Sequence, residues 1–130
     1  AKLRVYPRVY INMDCPSDTS KEFYVTVKGD NGFETSMYIK DKDKVEISDV
    51  LDFDVNYTVT ETIPMNFTYK GIDIEKGTDI NGNKKDSKNL TFNLMTVTHP
   101  ENITLHNEKR DSDEFQADSE VTNTLKYVEK

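Results

Sequence analysis

The sequence predicts an all-β protein, an antiparallel β-sandwich of about seven strands with no long helix. Three observations carry that prediction. Apolar and polar residues alternate with period two along most of the chain, the pattern of half-buried strands. Turn-forming clusters punctuate the alternation, among them Gly29-Asp30-Asn31-Gly32, the charged run Lys40 to Lys44, and Asn81-Gly82. Threonine, valine, isoleucine and tyrosine are abundant while alanine and leucine are scarce, which favours sheet over helix.

Taken in order, Leu3, Val5, Pro7, Val9 and Ile11 alternate with Lys2, Arg4, Tyr6, Arg8 and Tyr10. This is an amphipathic strand, and Pro7 places it at a sheet edge or a bulge because proline cannot donate to a ladder. Residues 12–20 read as a polar loop. Strands follow over 22–28 and 33–39, then the charged turn, then two strands within 45–62 joined by an acidic connection. Pro64 ends that run. Residues 66–74 alternate loosely, with Gly71 as a bulge. The hairpin around Asn81-Gly82 leads to a strand over 89–97. His99-Pro100 turns the chain into the last strand of the body, 102–107.

The expected organisation is a sandwich domain over 1–109, a charged linker over 110–120 and a strand-like tail over 121–130 that resembles the start of a following module. A lone strand leaves its backbone groups unpaired, so the tail is expected to add to a sheet edge, between chains rather than within one. The first strand offers that edge, and removing 119–130 is expected to leave the fold intact.

Composition excludes several functions. A chain of 130 residues is enough for one domain with a real core. The net charge of −7 argues against nucleic acid, which needs a basic footprint. A single cysteine, Cys15, rules out an internal disulfide. No signal peptide and no apolar run of membrane length is visible, so no membrane insertion is expected of this segment. Two histidines, His99 and His106, and one cysteine support neither a zinc site nor a nucleophilic triad. The clusters Asp49/Asp52/Asp54 and Asp79/Asn81/Asn83/Asp86 lack the spacing of a calcium loop and read as solvated turns. The expectation is no enzyme, no metal and no cofactor.

One residue stands out. Tyr57, Val59 and Glu61 share a strand face, and parity sends the Glu61 carboxylate where its apolar neighbours go. A carboxylate in a core is costly unless it is paired or protonated.

The stretches KEFYVTVKG, IKDKDKVEISDVLDFDVNYTVTETIPMNFTYKGI and ITLHNEK resemble the B-type repeats of the collagen-adhesin class, found in Gram-positive surface proteins and pilins. The likeness covers about residues 3 to 109, and Tyr57-x-Val59-x-Glu61 is its most specific part. It implies an immunoglobulin- or transthyretin-like sandwich, outside the cell and attached to the wall. It also implies an internal amide bond, in which a lysine amine attacks an asparagine side chain while a buried acid assists. Glu61 matches the acid and Asn107 the asparagine. The family's lysine falls at Pro7 and Arg8; proline has no amine and arginine does not deprotonate. No Lys–Asn bond is therefore expected within 1–109, and Lys126 is an alternative amine from a neighbouring module or chain. Val5-Tyr6-Pro7-Arg8 resembles the pilin polymerisation motif with arginine in the lysine's place.

The function implied is a structural stalk or shaft module of an adhesin or pilus, with neighbouring modules of the same protein as partners. Two alternatives accompany it. One is a module that binds glycan or extracellular-matrix protein through Tyr6 and Tyr10, on the outer face of the first strand. The other is a polymerising subunit that uses its terminal strand.

Overall fold

A computed structural model describes residues 8–47, 52, 54–80, 82, 84, 87–94, 101–110 and 117–127. The protein is all-β: two mixed sheets packed on one another, with no helix among the described residues. Its strands are β1 (Val9–Asp14), β2 (Phe23–Gly29), β3 (Glu34–Ile39), β4 (Lys44–Glu46), β5 (Asn56–Ile63), β6 (Phe67–Ile74), β7 (Thr78–Asp79), β8 (Thr91–Leu94), β9 (Glu101–Lys109) and β10 (Ser119–Tyr127). One sheet has the order β4-β1-β9-β6 and the other β3-β2-β5-β10-β8-β7.

Alternation builds the core. Val9, Ile11 and Met13 of β1 and Ile103 and Leu105 of β9 face Val25 and Val27 of β2, Tyr57 and Val59 of β5, and Val121 and Leu125 of β10. Local turns set the hairpins. Gly32 adopts φ 93°, a conformation suited to glycine, where β2 turns into β3. In β6 the pairing with β9 slips between Tyr69 and Gly71, and Gly71 has φ 117°. That slip is a bulge, and it returns Ile72 and Ile74 to the core.

The structure departs from the sequence expectations in four places. The sheets are mixed rather than antiparallel: β1 runs parallel to β9, and β10 runs parallel to β8. The first strand spans Val9–Asp14, so Asn12 to Asp14 belong to a strand and not to a polar loop. Asn12 and Asp14 point outward and Met13 inward, which continues the alternation despite their low β propensity. Third, β1 is an interior strand between β4 and β9 and not an edge; Pro7 lies outside the described residues.

The fourth difference is the largest. The expected tail is a central strand of the body, and residues 119–120 of the expected linker already belong to it. β10 pairs antiparallel with β5 from Ser119↔Ile63 to Lys126↔Asn56, and parallel with β8 on its other side. The reason is burial: Val121, Asn123 and Leu125 all turn inward, and two flanking strands satisfy the backbone. Removing 119–130 would therefore take out the strand that joins β5 to β8. Residues 111–116 of the expected linker lie outside the described residues, as do 48–50 and 95–97 of the expected strands.

Candidate functional site

A cluster of polar side chains lies between the two sheets. Each member arrives on a different strand by parity. Glu61 follows Tyr57 and Val59 inward on β5 and is 1% exposed. Asn107 follows Ile103 and Leu105 inward on β9 and is 3% exposed. Met13 follows Val9 and Ile11 on β1, beside β9 in parallel register.

The Asn107 Nδ2 donates to Glu61 Oε2 at 2.6 Å and lies 3.2 Å from Met13 Sδ. Glu61 Oε1 and Asn107 Oδ1 have no hydrogen-bond partner among the described residues. Burial pushes the Glu61 carboxyl up from 4.5 to about 8, partly offset by the bond from Asn107. At neutral pH Glu61 is therefore mostly a neutral acid. A protonated carboxyl beside a carboxamide whose oxygen is free can polarise that amide.

Among the described residues no lysine amine reaches this pair, and a thioether lies against the Asn107 amide. Met13, not Pro7 or Arg8, is the β1 side chain that touches the Asn107 amide. Arg8 is exposed, with its carbonyl taking a bond from the Glu101 amide, and Pro7 lies outside the described residues. Lys126 pairs in register with Asn56 on β5 and has the opposite parity to the buried Val121, Asn123 and Leu125. It faces out of the second sheet and does not approach Asn107. The cluster thus pairs a buried acid with a buried amide, with no nucleophile beside them among the described residues.

Three other polar features escaped the sequence. Asn123 is buried, accepts from the Leu90 amide through Oδ1 and donates to Tyr69 Oη at 3.4 Å. Its signal was parity within β10, hidden by reading that segment as a separate tail. Glu101 is buried at the start of β9; it accepts from the Lys76 amide, and burial pushes its carboxyl up. His106, on the outer face of β9, places Nδ1 2.7 Å from Asp14 of β1 and Nε2 2.6 Å from Asp73 of β6. That imidazole ties three neighbouring strands together.

Of the two candidate aromatics on the first strand, the described residues include one. Tyr6 lies outside the described residues. Tyr10 is half-buried under Lys44, whose Nζ sits 4.2 Å from the ring centroid, and it forms no exposed patch. Asp49, Asn81, Asn83, Asp86 and His99 lie outside the described residues. Among the described residues no group of three or more His, Cys, Asp or Glu side chains is arranged to hold a metal, and no helix is long and apolar enough to cross a membrane. Burial pushes the thiol of Cys15 up, away from the reactive thiolate. Searches against protein-family models, curated proteins and solved structures found no match to this chain.

Proposed function

We propose that this chain is a tension-bearing spacer, a stalk or shaft module of a wall-attached adhesin or pilus on a Gram-positive surface, built as an immunoglobulin- or transthyretin-like sandwich. One observation carries the reading: the first and last described strands are both interior. β1 is flanked by β4 and β9, and β10 by β5 and β8. Neither can leave without breaking two ladders at once. The His106 bridge across β1, β9 and β6 adds a side-chain tie on the first sheet. The Glu61–Asn107 pair matches the acid and amide of the B-type repeats, and Met13 replaces a covalent cross-link with packing.

Force applied through the ends tests this. A chain of identical copies stretched in a single-molecule instrument should break each copy in one step. Each step should release roughly 400 Å of chain, the extended length of about 120 residues. A staged rupture, with the last strand peeling away at low force before the body opens, would remove the reading.

A further inference from the structure

The outer face of the second sheet carries an arrangement that the spacer reading does not use. Tyr24 and Tyr38 are register partners on β2 and β3, with ring centroids 5.0 Å apart and planes at 51°. They are 39% and 66% exposed, and they are two of only four exposed large apolar residues among the described ones. Neither ring is needed by the core, which lies on the other face.

Beside the rings runs a row of hydroxyls. Ser36 pairs with Thr26, Thr26 with Thr60, and Thr60 with Thr122, across β3, β2, β5 and β10. With strands about 4.8 Å apart the row is roughly 14 Å long. Its members are bonded to one another: Thr60 to Thr122 at 3.2 Å and Thr26 to Ser36 at 3.3 Å. Tyr24 Oη donates to Ser36 Oγ at 3.0 Å, which holds that ring in place before anything binds. Cross-strand threonine pairs steady any sheet. They do not account for two bare aromatic rings docked against the end of the row.

Charge narrows the partner. Charges of both signs surround the rings and the row: Lys28 and Glu34 lie 3.8 Å apart and offset one another, Glu22 and Lys40 adjoin the tyrosines along β2 and β3, and Glu120 adjoins Thr122 on β10. The chain as a whole carries −7 and repels polyanions. A hydroxyl-lined strip with an aromatic shelf, bordered by charges of both signs rather than by a basic surplus, matches an uncharged polymer that has both hydroxyls and an apolar C–H face.

We propose that this face is a docking platform for a neutral polysaccharide. Tyr24 and Tyr38 stack on the C–H faces of sugar rings, and the Ser36–Thr26–Thr60–Thr122 row bonds their hydroxyls. The interaction is non-covalent and would let a spacer lie along a glycan layer. The spacer reading stands or falls separately.

Native electrophoresis through gels containing a neutral probe (linear β-glucan, glycogen or mannan) or anionic polygalacturonate tests it. At least one neutral probe should retard the wild-type chain, and polygalacturonate should not. Tyr38→Ser alone should weaken the retardation. Tyr24→Ala with Tyr38→Ala should reduce affinity about tenfold or more, the usual loss for aromatic anchors. Both changes are at exposed positions, and far-ultraviolet circular dichroism checks that the sheets persist. Three results overturn the proposal: no retardation by any neutral probe, stronger retardation by polygalacturonate, or unchanged retardation in a folded double variant.

Discussion

Replacing Met13 with lysine is expected to yield a folded chain roughly 17 Da lighter than its sequence mass, because the amide displacement it enables releases one ammonia. The Met13 sulfur already lies 3.2 Å from the Asn107 nitrogen, so a lysine on that strand brings its amine to the amide carbon. An amine buried there loses its proton and becomes nucleophilic. Nζ attacks Cγ of Asn107, Glu61 gives its proton to the departing nitrogen and takes one back from Nζ, the Cγ–Nδ2 bond breaks, and ammonia leaves behind a new Nζ–Cγ amide. Proximity of this order is what such reactions need. The closed loop, roughly 95 residues long, should add about 4 to 5 kcal/mol if it acts as a disulfide of that span does. Adding Glu61→Gln to the lysine variant should restore the full sequence mass. A folded Met13→Lys chain with no loss of mass would show that the cluster is not an amide-transfer centre.

Glu61→Gln in the wild-type background should flatten the dependence of stability on pH. The native carboxyl sits near 8, against 4.5 as the ordinary value. An acid whose native value is raised binds its proton more readily folded than unfolded. Its contribution is therefore complete below about 4.5 and is lost as pH rises through about 8. Within that window the wild type should lose up to about 1.4 kcal/mol per pH unit from this group. Glutamine is neutral throughout and nearly isosteric with the protonated acid. The variant should match the wild type near pH 5 and exceed it by a few kcal/mol near pH 8, by order of magnitude. Glu101 is shifted in the same direction and remains in both proteins, so the difference isolates Glu61. Parallel slopes in urea unfolding from pH 5 to 8.5 would mean that Glu61 is ionised in the native state.

Much of the local structure can be read from periodicity. β2, β3, β5 and β9 follow from alternation, the bulge from Gly71, and the inward placing of Glu61 and Asn107 from parity alone. What alternation cannot carry is pairing. Nothing in residues 9–14 or 101–106 announces that they run parallel, or that β10 slots between β5 and β8. Met13 was hidden because Asn12 and Asp14, its polar neighbours, make a short strand look like a loop. β10 was hidden by the charged stretch before it, which resembles a linker although the strand beyond it completes the core. Tyr24 and Tyr38 read only as the outward half of two alternating strands; their meeting depends on the register between β2 and β3.

The first and last described strands are structural interior and not attachments. Amide hydrogen exchange, resolved by residue under native conditions, tests this most directly. The ladder amides of β1 and β10 should exchange only with global unfolding, sharing one opening free energy with β5 and β9. If the β10 amides exchange through a smaller, local opening while β2 and β5 stay protected, the last strand is an attachment and the account fails.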